Sequence, residues 1–349
     1  MILVNNPGTW SDAYAPLQHS TWNGWTPADL IFPCFLFIMG LALTLSVQQR
    51  HSNGAARRNL YLDVVRRTLV ILALGIFLNG FPLFDWSVVR IPGVLQRIAV
   101  CYGVTALIVL TLDTRAQALI TMALVTGYWL VMALVPVPGQ HSAGISMDTN
   151  LAAYVDSALL HDHLLHPTWD PEGLLSTLPA VATTLLGVLT GHWFRSGQHR
   201  SAPVARLVGW GVGGVLGGLV MDRWCPINKA LWSSSYVLFT GGVALLVFTG
   251  CYWLIDIAGY RRWATPFISY GTNPIVAYVL SSLVAKEMLL SHVSRHDGTT
   301  VDLQRYLFET YFLPLASPVN ASLLYAVAYV FLWLGVASYL HRRHVFIKV

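Results

Sequence analysis

The sequence has few charged residues. Lys, Arg, Asp and Glu make up 11% of its 349 residues, whereas 55% are hydrophobic. Because soluble domains carry about 25% charged residues, this composition excludes an ordinary soluble protein. The charges fall in short clusters between apolar stretches of roughly 20 residues, the length that a helix needs to cross a bilayer. The chain is therefore predicted to be an all-α integral membrane protein.

Cysteine is also scarce. Four scattered cysteines do not suffice for a disulfide framework, so we interpret them as small core residues without a catalytic thiol: Cys34, Cys101, Cys225 and Cys251. The formal net charge of +5 could suggest nucleic acid as a partner. However, the basic residues lie next to the apolar segments, where they signal membrane topology, and nucleic acid is not expected.

Two motifs lack the context that their usual functions require. Gly209, Gly211 and Gly214 form a GxGxxG pattern, but no strand precedes it. Small residues that let membrane helices approach closely are the better interpretation. The stretch "HDHLLH", residues 161–166, does not have the ligand spacing of a tetrahedral zinc site. We interpret it as a solvated loop, and no metal is expected.

Nine apolar segments are long enough to be transmembrane helices. Their predicted bounds are 28–48, 67–84, 94–112, 117–136, 174–194, 204–221, 234–255, 264–286 and 319–340. We expect one polytopic bundle of about nine complete helices, a single domain over residues 1–349. Before the first segment only Met1 to Val4 are apolar, which is too short for a span. We therefore expect a truncated first helix that begins upstream of Met1.

Basic residues are distributed unevenly over the predicted loops. One set of alternate loops, with the C-terminal tail, contains 14 of the 21 Lys and Arg. The loop 137–173, on the other side, contains none but has five acidic residues and four histidines. Positively charged loops stay in the cytoplasm, so the C-terminus is predicted to be cytoplasmic. His19 and the loop 137–173 are then predicted to face the periplasm or exterior.

The stretch "YAPLQHSTWNGWTPADLIFPCFLFIMG", residues 14–40, places a histidine and a carboxylate at the start of an apolar segment. His19 can accept a proton near neutral pH or attack an acyl group; otherwise it is an interfacial histidine bonded to a turn. Thr26 and Pro27 are typical of an N-cap and a first helical residue. Asp29 then lies in the first turn, where the helix dipole favours a carboxylate. Its alternative role is to orient the His19 ring or to stabilise the cationic form of that ring.

Polar residues also occur within or beside the predicted spans. A charge such as Arg97, next to Gln96, is costly in a span unless it faces a cavity or a partner; the alternative is that the pair snorkels to the interface. Asn228 and Asn273 lie near span ends. The "TNP" around Asn273 is predicted to interrupt its helix, because the residue before a proline avoids the helical conformation. Broken membrane helices often line binding cavities.

On the predicted cytoplasmic side, Arg66 and Arg67 belong to an arginine-rich stretch. Their first role is to set the topology. They are also suited to attract a phosphate-bearing ligand, since guanidinium groups form paired hydrogen bonds with phosphate.

Six stretches resemble, in family order, the heparan-α-glucosaminide N-acetyltransferase family in its short bacterial form. They are "VNN", "HSTWNGWTPADLIFPCFLFIMG", "RIPGVLQRIA", "DPEGLLSTLP", "CPINKALWSSSYVL" and "ISYGTNPIVAYV". The sequence has no counterpart of the family's "SLDxxRG"-like start or of the large luminal domain of the animal enzymes. The resemblance therefore does not imply heparan sulfate as the acceptor.

The resemblance implies roles for individual residues. His19 matches the family's catalytic histidine, Asp29 the acid of its "ADL.FP" motif, and Asn5 the asparagine that ends its preceding helix. We expect His19 and Asp29 to be catalytic. The expected substrate-binding residues are Asn5, Trp22, Asn228 and Asn273. The expected cofactor-binding residues are Arg66, Arg67, Gln96 and Arg97.

The expected function is acetyl transfer from cytoplasmic acetyl-CoA, the co-substrate, to the amine of a glucosamine-type sugar on the periplasmic side of the bacterial inner membrane. Because the charged coenzyme cannot cheaply cross hydrocarbon, only the acetyl group would pass. His19 either becomes transiently acetylated or removes a proton from the sugar amine; the sequence leaves both open. The expected partners are an amino sugar or glycan, membrane lipid, and a second copy of the chain in a homodimer.

The alternative function is an inner-membrane transporter for amino sugars such as N-acetylglucosamine. Many apolar helices, intramembrane polar residues and a broken helix suit a carrier as well. The sequence shows no inverted repeat, which favours the acetyltransferase.

Overall fold

A computed structural model describes residues 1–52, 57–147, 149–195, 203–295 and 298–347. This part of the chain is mainly helical, with one short antiparallel hairpin. It forms two units, which we call the large and the small unit. The large unit comprises Ser20–Trp25 and Asp29–Trp253, and the small unit comprises Met1–His19, Thr26–Ala28 and Leu254–Val349. The prediction of a single domain stays a prediction.

The helices begin and end close to turn and cap signals in the sequence. In chain order they are α1 (Ile2–Asn5), α2 (Ile31–Ser52), α3 (Arg57–Gly80), α4 (Val94–Thr111), α5 (Thr114–Leu134), α6 (Leu151–Leu160), α7 (Thr177–Arg195), α8 (Pro203–Met221), α9 (Ser234–Tyr252), α10 (Thr265–Thr272), α11 (Pro274–Leu290), α12 (Leu303–Leu307) and α13 (Pro318–Arg342). The hairpin strands are β1 (His292–Ser294) and β2 (Thr300–Asp302). A 3-10 turn, Pro27–Leu30, leads directly into α2.

Several helices have the length and composition of membrane spans. In the described chain there are six such segments: Pro27–Val47, Val94–Thr111, Thr114–Leu134, Val204–Met221, Ser234–Ile257 and Pro318–Arg342. The pair formed by Arg262–Thr272 and Pro274–Leu290 is bent by 73° and, taken as one span, would be a seventh. The chain is thus a polytopic transmembrane protein.

The predicted count of nine complete spans is not confirmed. The predicted segments 67–84 and 174–194 do coincide largely with helices, α3 and α7. However, α3 carries Asp63 and an arginine pair in its length, and α7 contains four threonines and a histidine. These polar residues make both helices less apolar than the other spans.

Helices α2 and α7 meet backbone to backbone in the large unit. A Cβ atom on Gly40 would lie 1.9 Å from the Thr184 carbonyl oxygen, and one on Gly187 would lie 1.9 Å from the Phe37 carbonyl oxygen. Only glycine permits this approach, which is how small residues act between membrane helices. Thr44 Oγ1, also at this contact, lies 3.4 Å from the Val188 carbonyl oxygen.

Glycines also bring α8 close to α9. A Cβ on Gly214 would lie 3.0 Å from Gly242 Cα, and one on Gly211 would lie 3.2 Å from the Gly242 carbonyl oxygen. The interpretation of the GxGxxG pattern as a helix contact is confirmed for these two residues. Gly209 instead faces open space.

The segment between α5 and α7 contains a helix that the sequence analysis missed. Helix α6 has only ten residues, and its N-cap is Asn150, whose side chain accepts the Ala153 N–H at 2.8 Å. Its Asp156 is buried, and its carboxylate Oδ1 accepts the Leu174 N–H at 2.8 Å. The helix thereby fixes the segment that precedes α7.

The small unit contains the predicted helix break. Helix α10 ends at Thr272 and α11 begins at Pro274, so the interruption at "TNP" is confirmed. Asn273 is buried at the break. Its Nδ2 donates to the Val345 carbonyl oxygen at 2.9 Å, and its Oδ1 accepts the Ile347 N–H at 2.8 Å. The C-terminal segment is therefore bonded to the break.

Candidate functional site

Asp29 is a fully buried carboxylate at the start of the first long span. Its Oδ2 accepts the Ser20 backbone N–H at 3.1 Å, and Lys229 Nζ lies 3.3 Å from its Oδ1. Its backbone carbonyl accepts the Tyr236 hydroxyl at 2.5 Å. A buried charge is tolerated when it is paired and hydrogen-bonded, so these contacts favour the ionised carboxylate.

Lys229 is the functional candidate that the sequence analysis missed. It lies between α8 and α9, 200 positions along the chain from Asp29, and its side chain is only 16% exposed. Burial lowers the pKa of Lys229, and the charge of Asp29 opposes this shift. The signal that could have found it is its position inside the quoted "CPINKALW" stretch, directly after Asn228.

Asn228 holds the backbone around Lys229. It is completely buried, its Nδ2 donates to Asn23 Oδ1 at 3.1 Å, and its Oδ1 accepts the Leu231 N–H at 2.8 Å. Its backbone N–H donates to Ser233 Oγ at 3.0 Å. These contacts fix the backbone on both sides of Lys229. The predicted binding of substrate by Asn228 stays a prediction.

His19 belongs to the small unit and is exposed. It follows the 3-10 turn Ala15–Leu17, and its neighbour Gln18 accepts the Thr26 hydroxyl through its backbone carbonyl at 2.7 Å. The next residue, Ser20, donates its backbone N–H to the Asp29 carboxylate. The backbone on both sides of His19 is therefore bonded to the segment that begins the span. The orientation of the His19 ring by Asp29 stays a prediction.

Arg97 and Gln96 are buried in the first turn of α4, with exposures of 2% and 7%. The interpretation of the pair as snorkelling residues is therefore wrong. Arg97 Nη2 donates to Ser176 Oγ at 2.5 Å and to the Gly173 carbonyl oxygen at 3.1 Å. The Arg97 guanidinium carbon lies 5.0 Å from the centre of the Trp232 ring, a distance at which a cation is attracted to an indole.

A second charged cluster adjoins these residues in the large unit. Arg90 Nε and Nη2 lie 2.8 and 2.6 Å from the two carboxylate oxygens of Asp170, and Nη2 lies 2.5 Å from Glu172 Oε2. Burial raises the pKa of Asp156 to about 6. These side chains occur within or near "RIPGVLQRIA" and "DPEGLLSTLP", but the sequence analysis gave them no role.

An aromatic group borders the Ser20–Trp25 segment. Trp22 Nε1 donates to the Ile145 carbonyl oxygen at 2.8 Å, and the Trp22 ring packs edge-on against Trp169 at 5.1 Å. His166 stacks on Trp169 at 4.2 Å, and His163 Nδ1 lies 2.8 Å from the Val89 carbonyl oxygen. In the residues that the structure describes, no three His, Cys, Asp or Glu side chains converge as metal ligands.

The remaining predicted site residues lie apart from this group. Arg66 and Arg67 are exposed on α3, where the Arg67 guanidinium carbon lies 4.8 Å from the centre of the Tyr102 ring. Asn5 and Asn273 both belong to the small unit. The large unit thus brings together Asp29, Trp22 and Asn228 of the predicted catalytic and substrate-binding residues, with Gln96 and Arg97 on α4.

Comparison with known proteins is consistent with the sequence motifs. The family model "Heparan-alpha-glucosaminide N-acetyltransferase, catalytic" matches residues 11–215. The chain is similar to the heparan-alpha-glucosaminide N-acetyltransferases of Mus musculus, with 30% identity over 346 residues, and of Homo sapiens, with 31% identity over 340 residues. Each match covers 80% of this chain and 50% of the relative, so the chain spans about half the length of these proteins. The chain belongs to the heparan-α-glucosaminide N-acetyltransferase catalytic family.

Proposed function

We propose that the protein transfers an acetyl group from cytoplasmic acetyl-CoA to the amine of a glucosamine-type sugar at the periplasmic face of the bacterial inner membrane. The observation that carries this proposal is the buried Asp29, bonded to the residue that follows His19 and paired with Lys229. Both His19 and Asp29 fall within the family match. The relatives' names supply the reaction and the glucosaminide acceptor.

In this proposal His19 carries the chemistry. Either its imidazole attacks the thioester and holds the acetyl group before the amine takes it, or it accepts the proton that the amine loses on attack. In both routes the proton removed from the amine balances the proton gained by the coenzyme A thiolate. Asp29 restrains the backbone after His19 through Ser20 and compensates positive charge on the ring.

The donor is proposed to enter from the basic side of the membrane. Arg66 and Arg67 would bind the coenzyme's phosphates, since arginine pairs well with phosphate oxygens. Only the neutral acetyl group then has to reach the far face, which avoids moving several charges through hydrocarbon. This arrangement includes α3 and α7 as further spans, a cytoplasmic C-terminus and a periplasmic His19.

The sugar is proposed to bind beside Trp22 in the large unit, with the amide of Asn228 as a further contact or as a group that positions the contacting backbone. In the small unit, Asn5 and Asn273 are proposed separately as substrate-binding residues. Two contacts of Trp22 support this role. Its ring adjoins that of Trp169, and its indole N–H is bonded to the Ile145 carbonyl oxygen. Membrane lipid and a second copy of the chain, in a homodimer, are the other proposed partners.

One observation favours a second candidate function, transport of an amino sugar. The pair α10 and α11 is bent by 73° at a single residue, and half-helices of this kind bind substrates in transporters. The two functions differ in what happens to the sugar, which is modified by the enzyme and unchanged by the carrier.

Purified protein in proteoliposomes tests the proposal. With acetyl-CoA on one side and glucosamine on the other, we expect N-acetylglucosamine and free coenzyme A in equal amounts. His19→Ala should lower kcat by about 10³-fold, whereas His141→Ala, an exposed histidine outside the site, should turn over normally. If the proteoliposomes take up unmodified sugar without acetyl-CoA and no sugar is acetylated, the acetyltransferase proposal is wrong and the transporter is supported.

A further inference from the structure

Arg97 has unused hydrogen-bond donors in the interior of the large unit. Its Nη2 is bonded to Ser176 and Gly173. Its Nε and Nη1 are buried and have no hydrogen-bond partner. These two nitrogens carry three N–H groups. The Nε–H points to the Nη2 side of the guanidinium, whereas Nη1 carries two N–H groups at its other end, so Nη1 is by itself a ready donor for oxygen.

The charge of Arg97 is also unpaired at short range. Among the described residues no carboxylate lies within 4.0 Å of its guanidinium nitrogens. Removing a cation from water without a bonded counter-charge is expensive, and unsatisfied buried donors add to this. A protein retains such a group when a ligand or a reacting atom completes it.

A strained residue packs against this guanidinium. Trp232 is 1% exposed and has a backbone φ of 50°, a region that bulky residues rarely adopt. Its Nε1 donates to Thr183 Oγ1 at 3.0 Å, which keeps the indole against Arg97. The same indole packs at 5.3 Å from Tyr236, whose hydroxyl binds the Asp29 carbonyl. The buried, unpaired charge of Arg97 and the strained backbone of Trp232 thus lie next to the residues that hold Asp29.

We propose that Nη1 of Arg97 binds the carbonyl oxygen of the acetyl thioester and stabilises the negative charge that this oxygen gains during transfer. This inference rests on the proposed function and adds to it the group that receives the oxyanion. Donors aimed at such an oxygen in a water-poor site typically accelerate acyl transfer by about 10²- to 10³-fold.

The transfer step is balanced as follows. The attacking nitrogen of the amine forms a bond to the carbonyl carbon, and the C=O electron pair moves onto the oxygen held by Arg97. When that pair re-forms the C=O bond, the carbon–sulfur bond breaks and the thiolate leaves. The thiolate takes up the proton that the nitrogen gave to the base. Arg97 remains protonated throughout, because its role is to donate hydrogen bonds.

Binding of two donor analogues tests this assignment without requiring turnover. S-ethyl-coenzyme A has the same coenzyme but a CH₂ group in place of the carbonyl. Wild-type protein should bind acetyl-CoA about 10-fold or more tightly than S-ethyl-coenzyme A. Arg97→Lys and Arg97→Gln should bring the ratio of the two Kd values close to one. Arg223→Lys, an exposed arginine between α8 and α9, should keep the wild-type ratio.

Kinetics separates this role from a structural one. Arg97→Lys should lower kcat by about 10²-fold and raise the donor KM by about 10-fold, in line with the Kd ratio, both measured per folded protein. A wild-type Kd ratio near one, or a normal kcat in Arg97→Lys, would overturn the inference even though the protein is an acetyltransferase. A normal Kd ratio with no acetylation of glucosamine by wild-type protein would overturn the proposed function instead. If wild-type protein does not bind acetyl-CoA, both fail.

Discussion

The guanidinium of Arg90 and the carboxylate of Asp170 meet through two parallel hydrogen bonds of 2.8 and 2.6 Å. Asp170 has a completely buried side chain, whereas that of Arg90 is 22% exposed. The carboxylate also accepts the backbone N–H groups of Leu165 and Glu172, both at 2.9 Å. The Asp170 side chain thus binds the segment that leads into α7 at two backbone positions.

We therefore expect Asp170→Asn to destabilise the protein by about 3 kcal/mol, the lower end of the range for breaking a buried ion pair, because Arg90 is partly solvated. Thermal unfolding in detergent at neutral pH measures the effect. Asp85→Asn, an exposed acid outside this cluster, is the control. Equal melting temperatures for the two variants would contradict the structural role of the Arg90–Asp170 pair.

The Asp29–Lys229 pair should show strong coupling. Lys229→Met leaves a fully buried carboxylate without its cation, so we expect a loss of about 3 kcal/mol. Asp29→Asn removes the charge that needs compensation, and the double variant should recover part of the loss. Unfolding of the two single variants and the double variant provides the coupling free energy. Strictly additive losses would show that the two side chains do not stabilise each other.

Asp156 should make stability depend on pH. Its pKa is raised by burial from 3.8 to about 6, so between these values the folded protein binds more protons than the unfolded chain. Stability from this group is complete below about pH 4 and is lost as the pH rises through 6. Asp156→Asn keeps the acceptor for Leu174 and should raise the melting temperature at pH 7.5 but not at pH 4. An equal increase at both pH values would contradict this linkage.

The contact between α2 and α7 should tolerate no side chain. Gly40→Ala would place a methyl group 1.9 Å from a backbone carbonyl oxygen, and overpacking of this kind costs about 1–3 kcal/mol. Gly127→Ala is the matched control, since nothing lies within 4 Å of its Cβ position and alanine is the better helix former. The melting temperature should fall in the first variant and stay level or rise in the second.

Local signals in the sequence predicted local structure well. "TNP" predicted the break at Asn273, and Pro27 predicted the start of the first long span, because proline acts on its own backbone and that of its neighbour. Helix α6 was missed because ten residues in a polar loop lack the length that identified the spans. The sequence also predicted α3 and α7 as helices, but their polar residues leave them outside the confirmed spans.

The partners of polar side chains were much harder to predict. Asn228 and Asn273 were singled out for ligand binding, but the structure shows their amide groups bonded to Asn23 and to backbone groups. Asp29 was identified from its motif, whereas Lys229 required knowledge of which residues meet across 200 positions. Tertiary contacts of this kind have no periodicity that one sequence can display.

The reciprocal fit of Gly40 and Gly187 has a consequence for motion in the large unit. If α7 slid along α2, residues with a side chain would have to enter contacts in which even a Cβ atom would lie 1.9 Å from a carbonyl oxygen. We therefore expect the two helices to resist sliding past each other and to move together. Asp29 lies just before α2 and Ser176 just before α7, so this helix pair is expected to keep the Asp29 carboxylate and the acceptor of Arg97 at a constant spacing. Any hinge within the large unit is then expected to lie away from this helix pair.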